Sequence, residues 1–377
     1  MPKGARRGDA KRRAQEDTTL KPAFDVSLPL EKACTPPAAW YTSPEVAARE
    51  RAVIFSRSWH YAAPSAWLRA PGEFTTVSVA GESLLIVRGQ DGVLRAFSNV
   101  CRHRASPVAT VARGACKAFR CPYHGWTYGT DGALHVAPEC EGVEDFDPRA
   151  VRLPEVAVEE AGPFVFVCLA DAPPPFLSDA LRHRLCDGTE GLVHVDRRTY
   201  VVESNWKVYI DNYLDGGYHI PRLHPLLHRF LDYASYRTEL GDGWNVQHSA
   251  TRQAEDPSNA PGVGELRAGV DAEYYWLFPN FTVNRYAGII DTNLALPTGP
   301  DSCEVVFDYW FPADTPDEVV ARSIAVSEQI QAEDRDICAK VQRNLHSRFF
   351  DTGRYSVRRE GGEHQFHQLL ARALEET

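Results

Sequence analysis

Residues 101–126 read CRHRASPVATVARGACKAFRCPYHGW, and this stretch decides the fold of the N-terminal half of the chain. It holds two short pairs of metal-binding side chains, Cys101 with His103 and Cys121 with His124. Each pair combines one thiol with one imidazole, and seventeen residues separate His103 from Cys121. The spacing predicts two loops that bring both pairs to one metal centre.

Two kinds of metal centre use two cysteines and two histidines. A structural zinc site is one, but zinc-finger spacing groups the two cysteines together and the two histidines together. One Cys and one His on each of two loops is the ligand pattern of a Rieske [2Fe–2S] cluster, in which two imidazoles replace two thiolates. Arg104 after the first histidine and Gly125-Trp126 after the second also fit Rieske loops. We therefore predict that the four side chains bind a one-electron carrier.

The composition of the 377 residues is typical of a soluble globular protein, with 44% hydrophobic and 24% charged residues. No apolar run reaches the ~20 residues that a transmembrane helix needs, so we expect no membrane association. The net charge of −10 argues against nucleic acid as a partner. Nine scattered cysteines do not suggest a disulfide framework, and an iron–sulfur protein with free thiols belongs in a reducing compartment. We expect the cytoplasm, with an organelle stroma as the alternative.

The chain divides into three parts. Residues 1–39 begin with a basic run, and we expect them to form a flexible segment. Residues 40–172 start with a helix capped at Ser43-Pro44 and continue as short β-rich runs that carry the two cluster loops. Residues 173–377 follow a proline-rich break and mix long helices with strands of an antiparallel sheet. The predicted fold class is α+β, with a small all-β domain beside a larger α+β domain.

The larger part carries a second candidate metal site in NWKVYIDNYLDGGYHIPRLHP, residues 205–225. Pro221 is expected to end a helix between His219 and His224, so that both imidazoles can face one ion. Two histidines and one carboxylate with open positions form the facial triad of non-haem Fe(II) oxygenases, which need a one-electron donor. Without the cluster motif, the two histidines would be interpreted as helix-end residues bonded to backbone.

The third ligand of this site is predicted on a long helix that starts at Thr315-Pro316 and runs to about Leu345. Asp334 shares a face of this helix with apolar side chains. An ionised carboxylate on such a face is costly unless it is paired or metal-bound. We predict Asp334 as the ligand and Glu333 as the alternative; an acid of a charged helix surface is the non-functional interpretation.

Six further segments carry a resemblance to a known family: NYLDGGYH (212–219), PNFTVNRY (279–286), DTNLALPTGP (291–300), FDYWF (307–311), AEDRDICAKVQRNL (332–345) and DTGRY (351–355). With the two ligand sets, they make residues 40–370 resemble the α subunit of Rieske non-haem iron oxygenases, in the branch that oxidises choline. The resemblance implies a Rieske [2Fe–2S] domain, a helix-grip (Bet v1-like) catalytic domain with mononuclear Fe(II), and a homotrimer. In such trimers the cluster of one subunit lies beside the iron of the next.

The resemblance also implies a carboxylate that links a cluster histidine of one subunit to an iron-ligand histidine of its neighbour. Many family members place this acid three residues before the first ligand histidine, where this chain has Gly216. Asp215, four residues before His219, is the predicted bridge and the predicted catalytic residue. Asp211 and Glu203 are the alternatives.

A quaternary ammonium group is recognised by aromatic faces. The run EYYWLFPNFTVNRY, residues 273–286, and the resemblance together predict Tyr274, Trp276 and Tyr286 as substrate-binding residues, with an aromatic core strand as the alternative. The predicted reaction is hydroxylation of choline to the hydrate of betaine aldehyde, a step of betaine biosynthesis. N-demethylation of glycine betaine or carnitine-like compounds is the second candidate, and hydroxylation of an aromatic ring is the third.

A Rieske electron carrier is the alternative outside catalysis, and it would hold two irons per chain where the oxygenase holds three. The sequence contains no Gly-x-Gly-x-x-Gly run after a strand, so it offers no nicotinamide site of its own. The oxygenase therefore requires a separate NAD(P)H-dependent reductase or ferredoxin as its electron donor, and O₂ as the oxidant.

Overall fold

In the computed structural model, residues 24–252, 271–286 and 288–375 are described, and they form two seven-stranded antiparallel sheets and one three-stranded sheet. The N-terminal strands are β1 Trp59–Pro64, β2 Glu73–Val79, β3 Glu82–Arg88, β4 Leu94–Ser98, β5 Arg113–Ala115, β6 Ala118–Arg120, β7 Thr127–Gly129, β8 Leu134–Val136, β9 Glu155–Ala161 and β10 Phe164–Cys168. The order β1-β10-β9-β4-β3-β2-β5 makes the larger sheet of this half, and β6-β7-β8 makes the small one.

The C-terminal half is a seven-stranded antiparallel sheet wrapped by helices. Its order is β11-β17-β16-β15-β14-β13-β12. The strands are β11 Leu192–Val202, β12 Arg237–Leu240, β13 Trp244–Ser249, β14 Ala272–Leu277, β15 Phe281–Tyr286, β16 Ile289–Gly299 and β17 Ser302–Pro312. The described helices are α1 Ala39–Thr42, α2 Pro44–Glu50, α3 Asp179–Cys186, α4 Trp206–Leu214, α5 Ile220–Leu223, α6 Pro225–Phe230, α7 Asp317–Leu345 and α8 Gly361–Glu375.

Each face of the C-terminal sheet packs against a different partner. Successive side chains of a strand point to opposite faces. On β17, Val305 and Phe307 pack into the core formed with α4, α7 and α8. Val306 and Trp310 pack into a core shared with Phe164 of the N-terminal domain. The sheet is therefore sandwiched between a helical layer and the N-terminal β domain.

Most predicted elements lie where the sequence placed them. Ser43 Oγ accepts hydrogen bonds from two backbone N–H groups at the start of α2, and α7 ends at Leu345 as predicted. Helix α4 stops at Leu214, before both candidate iron histidines. The aromatic run of residues 273–286 belongs to two strands, β14 and β15, because the chain turns back between Leu277 and Phe281.

Part of the segment expected to be flexible is packed. Residues 1–23 lie outside the described residues, but Phe24 and Ala33 are buried against Tyr355 and Ala371 of the C-terminal region. The part of this segment that the structure describes, residues 24–39, therefore packs in part against the C-terminal region. The boundary predicted at 172–173 falls between β10 and α3, and it stays a prediction because α3 packs into the core shared by both halves.

Two further expectations concern cysteines and membranes. All nine cysteines are unpaired. Among the helices of the described residues, none combines the length and the apolar character needed to cross a bilayer.

Asp308 links the two domains through a buried charge network. Its carboxylate accepts a hydrogen bond of 2.8 Å from Tyr61 Oη of the N-terminal domain and two, of 2.9 and 2.7 Å, from the Arg197 guanidinium. His194 Nε2 lies 2.6 Å from Oδ1 of the same carboxylate. Burial alone would raise the pKa of Asp308, but the hydrogen bonds from His194 and Arg197 outweigh burial and lower that pKa. The ionised carboxylate is therefore the form that stabilises the interface.

We expect Asp308→Asn to lower the free energy of unfolding by about 3 kcal/mol at pH 7, because it removes one partner of a buried ion pair. Since the pKa of Asp308 is lowered in the folded state, this stabilisation is present above about pH 4 and is lost as the pH falls through the lowered value. Urea unfolding of both proteins between pH 7 and pH 3 measures the difference. Asp91→Asn, at the exposed Arg95 pair, is the control, and its loss of stability should be much smaller because solvent screens an exposed ion pair. Equal losses in the two variants would contradict the role of Asp308.

Candidate active site

Two loops of matching construction carry the predicted cluster ligands. In the first, the Ala105 N–H donates to the Cys101 carbonyl at 3.0 Å, and in the second the Gly125 N–H donates to the Cys121 carbonyl at 3.1 Å. Each loop closes with a residue of positive φ, 57° at Ala105 and 75° at Gly125. Both cysteines are buried, whereas His103 and the histidine of the second loop are exposed at the tip. The loops thus hold thiols inside and imidazoles outside.

The arrangement of these four side chains fits a two-iron cluster rather than a single ion. The His103 and His124 rings lie 4.5 Å apart, centroid to centroid. A single tetrahedral zinc would require the donor atoms to lie within 4.8 Å of one another, and no three of these four residues meet that condition. Burial alone would raise the pKa of the Cys121 thiol. Hydrogen bonds from backbone N–H groups and from the Cys101 thiol outweigh burial and lower that pKa. The site therefore favours the thiolate that a cluster ligand must be.

The two candidate iron histidines lie at the ends of short helices. His219 precedes α5, and His224 stands between α5 and α6, so that the two rings are 5.0 Å apart and nearly perpendicular. Pro221 lies in the first turn of α5, so it begins a helix between the histidines, and the prediction that it ends one was wrong. The result is still a sharp change of direction that lets both imidazoles face one point.

Asp334 of α7 completes this group. Its Oδ1 accepts a hydrogen bond of 2.7 Å from Asn212 Nδ2 and lies 3.0 Å from His224 Nε2. Ligand atoms of His219, His224 and Asp334 all lie within 4.8 Å of one another. Asp334 is buried, with 7% of the residue's surface exposed. Two imidazole nitrogens and one carboxylate oxygen at this spacing can hold one Fe(II) with open positions.

Two outer carboxylates orient the histidines. His219 Nδ1 lies 2.7 Å from Asp215 Oδ2, and His224 Nδ1 lies 2.6 Å from Glu333 Oε2. These contacts fix the ring protons on Nδ1 and leave both Nε2 atoms for a metal. Glu333, the alternative third ligand, is thus an outer partner of His224. Burial alone would lower the pKa of His224, but Asp334 and Glu333 outweigh burial and raise that pKa. The negative charge of the same two carboxylates favours a metal cation at this point.

The alternatives for the bridging acid have other environments. Asp215 also accepts hydrogen bonds from the backbone N–H groups of Tyr218 and His219, at 3.0 and 2.9 Å. Asp211 Oδ1 lies 2.9 Å from His367 Nε2. Glu203 is exposed and precedes the first residue of α4. Only Asp215, among these three acids, contacts a candidate iron histidine.

A cavity opens beside the three candidate iron ligands. Helices provide one wall, and strands β14 to β17 provide the opposite wall. The side chains that the sheet contributes are Tyr274, Asn284, Tyr286, Asp291, Asn293 and Phe307. A substrate in this cavity would lie between the sheet and the metal ligands.

Two of the three predicted aromatic residues line the cavity. Tyr274 and Tyr286 do so, whereas Trp276 is fully buried, packs against Phe278 and Phe366 and does not reach it. Trp276 points to the same face of β14 as Tyr274 but lies farther along the strand, past the end of the cavity. Trp276 is therefore not among the residues that line this cavity, and its role as a substrate residue stays a prediction.

Sequence reasoning missed other parts of the wall. Tyr236 stacks on Tyr274 with ring centroids 6.3 Å apart, but it lies in an irregular segment without a periodic signal. Asn284 could have been found, because strand alternation places it on the same side of β15 as Tyr286. Asp291 is its cross-strand neighbour on β16, a pairing that the sequence alone does not reveal.

Comparison with known proteins shows the same two parts. Residues 58–147 match the Rieske [2Fe-2S] domain, and residues 189–376 match the ring hydroxylating alpha subunit (catalytic domain). The chain is 35% identical to the chloroplastic choline monooxygenase of Arabidopsis thaliana, over 92% of this chain and 84% of the relative. It is 31% identical to the carnitine monooxygenase oxygenase subunit of Acinetobacter pittii, over 76% of each. The solved structure of a quaternary ammonium Rieske monooxygenase matches with a TM-score of 0.83 and 27% identity, over 94% of this chain and 100% of that one.

The chain belongs to the Rieske non-haem iron oxygenases. This confirms the predicted family, the α+β fold with a Rieske and a catalytic domain, and the prediction of an enzyme. A Rieske oxygenase uses a [2Fe–2S] cluster, which supplies single electrons, and a mononuclear iron, which binds O₂. The two donor sets described above fit these two groups in ligand type and spacing.

One hydrogen bond is expected to tune the cluster of this Rieske oxygenase. Tyr128 Oη lies 3.3 Å from Cys101 Sγ and accepts the Arg102 N–H at 3.0 Å. A hydrogen bond to a ligand sulfur stabilises the reduced cluster. Because such a bond contributes about 1 kcal/mol, Tyr128→Phe should lower the reduction potential by about 40 mV, as measured by an EPR-monitored redox titration. An unchanged potential in a variant with an intact Rieske spectrum would contradict this prediction.

The outer carboxylate of His224 gives a second expectation. Glu333→Gln should weaken binding of the mononuclear iron about tenfold or more while the cluster is retained, because His224 loses the partner that orients it. Iron content after equilibration with a graded chelator, read beside the cluster absorbance, measures this. Asp336→Asn is the matched control, since Asp336 lies on the same helix but pairs with Lys340 at the surface. The prediction is wrong if both variants keep iron equally well.

Proposed function

We propose that this Rieske oxygenase hydroxylates choline at its carbinol carbon and yields the hydrate of betaine aldehyde. One C–H bond becomes C–OH: choline, O₂, two electrons and two protons give the aldehyde hydrate and one water. The electrons come from NAD(P)H through a separate reductase or ferredoxin. The observation that carries the proposal is a single cavity that joins the candidate iron ligands to an aromatic wall of the sheet.

The aromatic wall suits a quaternary ammonium group. The Tyr236 and Tyr274 rings stack at 6.3 Å, and the Tyr286 ring stands perpendicular to Tyr274 at 5.9 Å. A cation is attracted to such ring faces, and the attraction grows when water is excluded. Burial raises the pKa of Tyr236 well above its usual value, so the Tyr236 ring stays a neutral phenol.

The relatives support an ammonium substrate and name two of them. Choline monooxygenases of Arabidopsis thaliana and Spinacia oleracea are 35% and 34% identical to this chain over 92% and 93% of its length. The carnitine monooxygenase oxygenase subunit of Acinetobacter pittii is 31% identical to this chain over 76% of its length. N-demethylation of a carnitine-like compound is therefore the second candidate, favoured by a solved structure of a quaternary ammonium Rieske monooxygenase in complex with L-carnitine.

Each residue of the two sites has a role in the proposal. Cys101, His103, Cys121 and His124 hold the cluster, and the triad of His219, His224 and Asp334 holds the iron. Such a role for the triad agrees with its spacing and with the outer carboxylates on both imidazoles.

Asp215 is the proposed bridge to the cluster of a neighbouring subunit in a homotrimer. Its carboxylate already contacts His219 Nδ1, which is the half of the bridge that one subunit can supply. The solved quaternary ammonium relative has been studied for inter-subunit electron transfer. The location in a reducing compartment, cytoplasm or stroma, belongs to the same proposal.

Turnover by iron-replete protein with NAD(P)H, a surrogate reductase and O₂ tests the proposal, with choline, glycine betaine and carnitine offered separately. We expect betaine aldehyde from choline by mass spectrometry, and about three irons per chain. His219→Ala should abolish the product and leave about two irons, because it removes an iron ligand but no cluster ligand. His183→Ala, a histidine of α3 outside the cavity, is the control.

The outcomes separate the candidates. Formaldehyde from another methylated amine would keep the oxygenase and replace its substrate. No product from any of the three amines, in protein that carries three irons, would reject an ammonium substrate.

A further inference from the structure

Asn293 places a side-chain amide in the sheet wall of the cavity. It lies on β16, is 3% exposed and pairs with Phe307 of β17 across the sheet. Both residues line the cavity that also contains the candidate iron ligands. Because most of a small-molecule site is apolar or aromatic, the few polar groups that reach it fix the orientation of the ligand.

Two donors determine which end of this amide faces the cavity. Thr282 Oγ1 donates to Asn293 Oδ1 at 2.7 Å, and Asn284 Nδ2 donates to the same oxygen at 3.3 Å. Asn284 cannot present its oxygen instead, because the same Nδ2 also donates to Asp291 Oδ1 at 2.5 Å. The amide oxygen of Asn293 is therefore held by the sheet, and its Nδ2 is the atom left for the cavity.

The amide nitrogen of Asn293 is a donor in search of an acceptor. Among the described residues, every hydrogen bond of this side chain reaches Oδ1 and none uses Nδ2. Enclosed atoms without a partner do occur in the same sheet, at Asn280 Oδ1 and Thr292 Oγ1, but Nδ2 of Asn293 is not one of them. Nδ2 therefore reaches the cavity. Such a donor costs free energy unless water or a ligand accepts from it.

We propose that Asn293 is a specificity-determining residue whose Nδ2 donates a hydrogen bond to the hydroxyl oxygen of the substrate. The inference rests on the proposed function, because it takes choline as the substrate. Asn293 on β16 is two strands away from Tyr274 on β14, about 10 Å across the sheet. The aromatic wall and the amide can therefore bind the two ends of one small molecule, with the ammonium group at the rings and the hydroxyl group at Asn293.

This hydrogen bond would orient the carbon that is oxidised. In choline the hydroxyl oxygen is bonded to the carbinol carbon, so an amide that holds the oxygen also restricts the direction of the two C–H bonds on that carbon. An ammonium compound without an oxygen at this place leaves Nδ2 unpaired and binds less tightly. Asn293 acts on the substrate by this contact alone, and no proton or electron passes through it.

An isosteric pair of ligands isolates the hydrogen bond. In n-propyltrimethylammonium a methyl group replaces the hydroxyl group of choline, and the ammonium end is unchanged. Dissociation constants of both cations are measured anaerobically by calorimetry on the holoenzyme, for the wild type and for Asn293→Leu. We expect the preference for choline to fall about fivefold in the variant, the effect of one neutral hydrogen bond. Both ligands carry the same charge, so a change in electrostatics cancels from the ratio.

The Asn293→Leu variant leaves the surrounding network with acceptors. Leucine has nearly the shape of asparagine but neither donates nor accepts. Thr282 Oγ1 also lies 3.4 Å from the main-chain oxygen of residue 293, and Asn284 keeps its bond to Asp291. Asn245→Leu is the matched control, since Asn245 is a fully buried asparagine of the same sheet that does not line the cavity. The control should keep the wild-type ratio.

Two results would overturn the inference. One is an iron-replete variant at position 293 with the wild-type ratio, and the other is equal affinity of the wild-type enzyme for the two cations. If Asn293→Leu does not retain three irons, Asn293→Val replaces it, because a β-branched side chain suits a strand and also lacks a donor.

The two proposals fail in different ways. Absence of aldehyde from the wild-type enzyme concerns the proposed function. An unchanged ratio at position 293, in an enzyme that does oxidise choline, concerns Asn293 alone.

Discussion

The hydrogen bond of 2.7 Å from Asn212 Nδ2 to Asp334 Oδ1 joins α4 to α7, and the candidate iron site depends on it. Asp334 belongs to the buried face of a 29-residue helix, where its neighbours Ile324 and Cys338 pack into the core. A carboxylate on that face is stable only with donors or a metal around it. Because α4 supplies the donor and then leads into both histidines, one helix sets the position of all three ligands.

The alternation of β17 explains how the two domains keep their relative position around this site. Phe307 faces the helical layer and lines the cavity, and the next residue, Asp308, faces the N-terminal domain and binds Tyr61. Successive residues of one strand thus contribute to the substrate cavity and to the domain interface. A shift of register by one residue would exchange these roles and would disrupt both.

The sequence predicted what is local and missed what the tertiary fold brings together. Metal ligands at short spacing, such as the cluster pairs, were visible because each pair lies on one loop. Asp334 was visible because a helix face is periodic. Trp276 shares a strand face with Tyr274, yet alternation does not tell which face looks inward or where along the strand a cavity ends. The place of Asp291 in the cavity wall follows from its pairing with Asn284 across the sheet, which no local pattern reveals.

The departure from the family spacing at Gly216 has a steric cause. Gly216 and Gly217 have φ values of +68° and +71°, and a Cβ at Gly216 would lie 2.2 Å from the Arg359 carbonyl oxygen. No acid can occupy that position without displacing the backbone before α8. Asp215, the proposed bridge, stands one residue earlier, at the end of α4. The two left-handed residues return the chain so that Asp215 meets both the N–H and the Nδ1 of His219. The altered spacing and the glycine pair are therefore two parts of the same local structure, which keeps a carboxylate on the outer nitrogen of the histidine.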